Sequence, residues 1–296
     1  AGHSVKRHST SCVEHEIANY IKQFTNLIEC NTKNVIPPKE IDIFLPSLNH
    51  AIEINGTYWH SELNGKDKWY HLNKTILCNE KNIRLWHIFD FEWYHKKQIV
   101  KSKIAGIFDV HRKIPARKCL IKPVSKQQKK SFLNENHLQG NAGSNVDLGL
   151  FHNNELVSLM TFGKSRFSKK YDWEMVRFCN KTNTTTQGGA SRLFSFFVEK
   201  YSPNSIVSYA DRRWSNGNLY QKLNFKYSHS SDPNYYYFNR KSPENLESRI
   251  RYQKHKLKYL FENVNINKTE WEIMIENNYD RIWDSGNLVY VWINDE

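Results

Sequence analysis

Apolar residues recur every three or four positions from Ser11 to Cys30: Val13, Ile17, Tyr20, Ile21, Phe24 and Ile28. That spacing predicts a helix with Ser11 as its N-cap. Pro37-Pro38 then ends any regular element, and beyond it the period drops to two. Glu40 to Leu45 and His50 to Asn55 read as short strands joined through Pro46-Ser47-Leu48-Asn49. A polar loop over 61–68 leads into a predicted helix over 68–81, a strongly apolar strand over 83–89 and a basic helix over 94–108. Helix, paired strands, helix, strand, helix is an α/β order.

The pattern continues differently in the second half. Residues 111–123 are basic and read as a linker between a first domain, 1–110, and a second, 124–296. Gly149 to Phe151 and Glu155 to Phe162 predict a hairpin that turns at Asn153-Asn154. Strands are expected over 174–179, 205–210, 235–238 and 288–293. An apolar helix opens at Gln187-Gly188-Gly189-Ala190 and runs to about Tyr201, and a short one covers 219–223. The tail adds a basic helix over 249–258 and another helix around 271–278.

Composition narrows the partners. A chain of 296 residues suits two domains and a sizeable core. The formal net charge of +13 favours a polyanion, above all nucleic acid. With 39% apolar and 14% aromatic residues, the chain is no disordered basic tail. No window approaches the roughly 18 apolar residues of a membrane span, and no signal-peptide pattern opens the chain. The opening Ala-Gly-His-Ser, without methionine, points to a processed product. Five scattered cysteines, Cys12, Cys30, Cys78, Cys119 and Cys179, have no metal-knuckle spacing and fit a reducing cytoplasm.

The paired strands carry the candidate chemistry. Strand residues alternate faces, so Glu40 and Asp42 point one way while Ile41, Ile43 and Leu45 point the other. On the next strand Ala51, Glu53 and Asn55 share a face. Acids on one face of two neighbouring strands are costly to bury unless something neutralises them. A hard divalent cation, Mg²⁺ or Mn²⁺, would do so through carboxylate oxygens and retained waters, and could activate water at a phosphorus centre. Glu14 lies near the apolar face of the first helix and adds a carboxylate, whereas Glu16 projects farther off it. His60, just past the strand end, is placed to accept a proton near neutral pH. Taken singly, each is also an ordinary residue: an acid on a half-exposed sheet, or a histidine satisfied beside Trp59. Their convergence at one end of a small sheet points to chemistry.

Asp42, the run Glu53-x-Asn-Gly-x-Tyr-Trp-His60, a helix, and Leu85-Trp-His-Ile-Phe-Asp-Phe-Glu-Trp93 together resemble the very-short-patch-repair (Vsr-like) branch of the PD-(D/E)XK nuclease superfamily. Within it they look most like phage homing endonucleases with an E-D-x-H-D set of catalytic positions. The match covers 11–104. It implies a restriction-endonuclease-like α/β/α sheet, with catalytic roles for Glu14, Asp42, His60 and Asp67. Metal ligation falls to Asp42, Glu53 and Glu14, with Mg²⁺ or Mn²⁺ as cofactor. The superfamily's usual lysine, two residues after the acid, is Asn55 here. Its role as cationic stabiliser passes to His60 or to Lys74 on the following helix.

In the second half, Glu155 to Phe162, Gln187-Gly-Gly-Ala190 and Leu219-Tyr-Gln-Lys-Leu-Asn-Phe225 resemble a GNAT-type acyltransferase, an α+β fold. There a helix N-terminus holds a cofactor pyrophosphate. Aligning Gly188 and Ala190 with that family's turn puts Thr185 where Gln or Arg belongs. That departure weighs against acetyl-CoA and for a scaffold turned to double-stranded DNA. Basic residues interleaved with aromatics fit phosphates and bases: Lys96, Lys97, Arg192, Arg212, Arg213, Arg251 and Lys254, with Arg166, Lys169 and Lys170. A solvated basic face over an aromatic core accounts equally for most of them. The function implied is a Mg²⁺-dependent DNA endonuclease with a preferred site, of the phage homing kind, acting in the bacterial cytoplasm and away from membranes. The alternatives are a GNAT-type acyltransferase with a DNA-targeting first module, and a mismatch-nicking repair enzyme.

Overall fold

The computed structural model describes residues 5–262 and 264–294. Its elements begin with α1 (Val5–Ile21), β1 (Glu29–Ile36), β2 (Lys39–Leu45), β3 (His50–Asn55), α2 (Tyr70–Glu80), β4 (Arg84–Phe89) and α3 (Asp90–Ile107). Next come β5 (Arg112–Pro115), β6 (Leu120–Pro123), α4 (Lys126–Asn136), β7 (Val146–His152), β8 (Glu155–Lys164), β9 (Trp173–Asn180), β10 (Thr184–Gln187) and α5 (Gly189–Tyr201). The remainder is β11 (Ser205–Asp211), α6 (Asn218–Lys222), β12 (Lys226–Ser230), β13 (Tyr235–Asn239), β14 (Ser242–Ser248), α7 (Lys254–Leu257), α8 (Glu270–Glu276), β15 (Tyr279–Trp283) and β16 (Asn287–Ile293).

These elements divide into two compact units, neither continuous in sequence. The first takes the chain up to Lys96 together with Asp232–Gly286; the second takes Lys97–Ser231 and the chain from Asn287. The boundaries read from the sequence, at 110 and 124, lie elsewhere, because 232–286 pack with the first unit. Helix α3 breaks at Lys96 (φ −134°), where the chain passes between units.

In the first unit one sheet has the order β1-β2-β3-β4. The first three strands are antiparallel and β4 runs parallel to β3. A parallel neighbour needs a crossover, and α2 supplies it. The expected first helix begins six residues before Ser11, so Ser11 is not its cap, and it stops at Ile21. Tyr20 and Phe24 continue the helical spacing only because the turn after Ile21 brings their rings edge-to-face at 5.2 Å. Strand β1 has no alternation to reveal it, since only Thr32, Val35 and Ile36 are buried. A second sheet, β14-β13-β15, packs its aromatic side chains with Tyr252, Leu257, Ile273 and Met274. The basic helix expected over 249–258 is a 3-10 turn, Arg249–Tyr252, followed by the four residues of α7.

The second unit is built on a seven-stranded sheet, β12-β16-β11-β9-β8-β7-β6. Asn153 and Asn154 turn the β7–β8 hairpin with φ of 49° and 63°. Helix α5 seats Leu193, Phe194 and Phe197 in the core, where Phe197 stacks on Phe162 at 3.6 Å. Strands β9 and β11 are parallel and paired only where Trp173 and Glu174 meet Ile206 and Val207. The segment expected as a linker is structural: β5 pairs with β10 and β6 closes the large sheet. Its basic side chains disguised an edge, where charge is favoured. Together the units make a mixed α/β protein.

Candidate functional site

In the first unit the β2–β3 register pairs Ile43 with Ile52, Phe44 with Ala51 and Leu45 with His50. The pairing ends at Ile43 and Ile52, and the next residues outward, Asp42 and Glu53, carry carboxylates close enough for the charge of Glu53 to act on Asp42. Like charges on neighbouring strands repel. The Ile54 amide donates to Asp42 Oδ2 at 2.7 Å. Burial and then the charge of Glu53 hold the Asp42 carboxyl well above the usual carboxylate range; the Ile54 amide and Lys74 oppose this, and Glu14 adds to it. Glu53 is 2% exposed and likewise raised by burial, against the pull of Lys74.

Lys74 answers the question that Asn55 raised. From α2 its Nζ donates to Glu53 Oε1 in a buried ion pair. Burial lowers the affinity of Lys74 for its proton, but the charge and hydrogen bond of Glu53 outweigh that and raise it. Asp42 and Glu53 thus share one ammonium, the charge of Glu14 bears on both carboxylates, and Glu53 Oε2 is buried with no hydrogen-bond partner. A surplus of carboxylate beside an orphaned oxygen is the chemistry of a hard-cation site, and Mg²⁺ needs only one or two carboxylates. Among the described residues no group of three or more His, Cys, Asp or Glu side chains is arranged to hold a metal ion.

His60 departs from expectation. Its Nδ1 lies 3.3 Å from His71 Nε2. Burial, then the charges of Lys74 and Lys66, pull its pKa down to about 3. The ring is therefore neutral at physiological pH and does not titrate near neutrality, contrary to the sequence reading. Behind it lies a set that the sequence reading missed. His87, which pairs with Glu53 across the β3–β4 register, has Nε2 2.8 Å from Thr75 Oγ1. Thr75 Oγ1 donates to the His71 carbonyl at 3.0 Å, so His87 Nε2 is the donor to Thr75. His87 Nδ1 then accepts from Asn55 Nδ2 at 3.2 Å. Asn55 serves as a buried support, not as a cationic stabiliser. The signal available was spacing: His71 and Lys74 sit three apart on a helix and share a face.

The turn after His60 is clamped by β15. Arg281 Nε and Nη2 donate to Glu62 Oε2 and Oε1 at 2.6 and 2.8 Å, and Trp283 Nε1 donates to Oε2 at 2.6 Å. The Leu63 amide donates to Asp280 Oδ1 at 3.2 Å. Asp67, expected as the last catalytic acid, is exposed and accepts the Trp69 amide at 3.0 Å, which opens α2.

The residues expected to contact DNA fall into two groups. Arg192 Nη1 donates to the carbonyls of Ala116 and, at 2.8 Å, Cys119. Arg213 is 3% exposed and its Nη2 donates to Asp211 Oδ2 at 2.8 Å. Arg213 is thus buried in an ion pair, and half-buried Arg192 commits its Nη1 to the fold. Lys96, Lys97 and Arg212 are partly exposed, and Arg251 is exposed and pairs with Glu247. Lys254 is exposed, and with His255 and Lys258 it lines a cavity of about 460 Å³ whose other walls are Val264, Ile266 and Ile273.

In the second unit Gly188, at φ 73°, precedes α5, as the sequence placed it. The first residue of that helix, Gly189, lies against Thr186 of β10 and Leu150 of β7. The structure thus comprises a mixed α/β protein with a buried carboxylate–lysine face in one unit and an open parallel strand pair in the other. The family model of the Mom protein family matches residues 118–279, more than half of the chain. The chain belongs to the Mom protein family.

Solved structures similar to it include a Bacillus subtilis acetyltransferase in complex with CoA, at 12% identity over 60% of this chain and 99% of that one, with a TM-score of 0.33. An N-acetyltransferase from Staphylococcus aureus Mu50 matches at 14% identity over 59% and 98%, with a TM-score of 0.34. A GNAT family acetyltransferase from Elizabethkingia anophelis with acetyl-CoA bound matches at 12% over 60% and 99%, with a TM-score of 0.30. At these scores the likeness carries no argument. No curated protein matches the chain, and nothing in these comparisons identifies a nuclease. Among the described residues no helix is long and apolar enough to cross a membrane.

Proposed function

We propose that the first unit hydrolyses phosphodiester bonds of double-stranded DNA, as a homing-type endonuclease would. The observation that carries this reading is the Asp42 carboxylate within electrostatic reach of Glu53, with Lys74 buried against Glu53. The order helix, three antiparallel strands, helix, parallel strand agrees with the Vsr-like resemblance. Mg²⁺ or Mn²⁺ bound by Asp42 and Glu53, with Glu14 in reserve, would supply Lewis-acid stabilisation of a phosphoryl oxygen. Lys74 holds a fixed positive charge at Glu53 and complements charge developing on the phosphoryl group. His60, neutral and held at Nδ1 by His71, presents Nε2 as an acceptor that orients a water. Its lowered basicity makes it a positioning acceptor before it is a base.

Supercoiled DNA in Mg²⁺ buffer tests this directly. Asp42→Ala should abolish cleavage while DNA affinity stays within about twofold, since a carboxylate makes no attractive contact with a phosphate backbone. Full cleavage by that variant removes the assignment.

A second reading concerns the other unit, and membership of the Mom family supports it over the first. Gly188, in the left-handed region, opens α5, whose first turn lies beside Thr186 and Leu150. A helix N-terminus so placed can hold the pyrophosphate of an acyl-CoA, and the chain would then transfer an acyl group to DNA or protein. Thr185 in place of Gln or Arg, and Arg192 turned toward Ala116 and Cys119, stand against it. Isothermal titration separates the two: tight acetyl-CoA binding promotes the transferase.

A further inference from the structure

The β8–β9 connection holds an exposed aromatic ring in a fixed direction. Phe167 is 69% exposed. The residue before it is anchored twice, because the Arg166 amide donates to Glu174 Oε2 at 3.2 Å and Arg166 Nε to the same oxygen at 3.1 Å. Arg166 Nη2 completes the fork on Glu174 Oε1, and Glu174 is only 1% exposed. A forked guanidinium–carboxylate pair fixes geometry as well as adding energy. On one side the Phe167 ring meets Tyr209 edge-to-face at 5.5 Å, and Arg166 Cζ lies 5.3 Å from its centre. The same connection carries three exposed lysines, Lys164 with its Nζ over the Trp173 ring, Lys170 with its Nζ over Tyr171, and Lys169. Glu174 neutralises Arg166, and Lys164, Lys169 and Lys170 outnumber Asp172, so the tip stays positively charged.

Neither proposed reaction uses this tip. A phenyl ring has no polar atom for water, yet here it is braced outward by a buried carboxylate instead of being folded back. An apolar ring flanked by cations fits a duplex, in which bases part to admit a wedge and phosphates lie on either side. A single ring is a small anchor for a lipid surface, which binds in proportion to apolar area.

We infer that Phe167 is a wedge that enters the base stack of double-stranded DNA while Lys164, Lys169 and Lys170 take the flanking phosphates. The inference rests on DNA as the partner, but on neither catalytic reading. The test is unwinding of a relaxed closed-circular plasmid, resealed by a type IB topoisomerase in EDTA so that no metal-dependent cleavage occurs. The wild-type chain should shift the linking number. Phe167→Leu should keep most of the shift, and Phe167→Ala should lose it and bind a labelled duplex about tenfold more weakly. All three should melt at the same temperature, because the ring is exposed. Duplex binding without a linking-number change, or an equal change with Phe167→Ala, overturns the wedge and leaves the DNA partner standing. Absence of duplex binding by the wild-type chain overturns both. Phe167-dependent binding to phosphatidylserine vesicles without DNA unwinding would assign the tip to membranes and also overturn it.

Discussion

Lys74 decides what the acidic face of the first unit can be. It and Glu53 are both more than nine-tenths buried, so each is tolerated only because of the other. Lys74→Met should cost about 3–5 kcal/mol in denaturant unfolding by leaving Glu53 uncompensated. Adding Glu53→Gln should recover much of that loss, while neither variant should cleave DNA. A Lys74→Met protein as stable as the wild type would show that Glu53 takes up a proton instead. Asp42 and Glu53 were legible in the sequence because strand alternation and a four-residue connection fix which residues face each other. Lys74 stood only as one of two options, since no local pattern says where a helix residue 21 positions after Glu53 will land. The basicity of His60 was misread for a related reason: its pKa is set by burial and by Lys74 and Lys66, which only the fold assembles.

At the level of elements, the clamp between β15 and the turn after His60 has a pH signature. Burial would raise the Glu62 pKa, but hydrogen bonds from Arg281 and Trp283 and the charge of Arg281 win, so the folded value lies below the ordinary one. Its stabilising contribution is therefore complete above the ordinary glutamate range and is lost as pH falls through the folded value. Melting temperatures from neutral to about pH 3 should decline less steeply for Glu62→Gln than for the wild type. An identical decline would mean that the clamp does not form in solution. The elements read best from sequence were those with strong periodicity or turn chemistry, such as α5, β8 and the Asn153-Asn154 hairpin. Strand β1 and the β5–β6 segment were missed because edges are polar by need, which erases the alternation that betrays a strand. Residues 232–286 were grouped with the second half, and β14 and β15 within them were not foreseen, since chain order is the default guess and here the chain turns back.

For the molecule as a whole, a net charge of +13 bears on how it meets its partner. If about six phosphates are neutralised, log K against log[salt] should fall with a slope of roughly −5. A slope near zero in a filter-binding titration would deny extensive backbone contacts, whatever reaction follows. The two proposed chemistries, one on the carboxylate–lysine face and one at α5, are separable, and the experiments above address them separately. The discontinuity of the units reaches beyond equilibrium. On the ribosome, all of Lys97–Ser231 must emerge before Arg281 and Trp283 can meet Glu62. At about 5–20 residues per second that is a wait on the order of ten seconds. The turn that carries His60 is therefore secured late in translation, and synonymous codons that slow synthesis between those stretches would prolong its exposure.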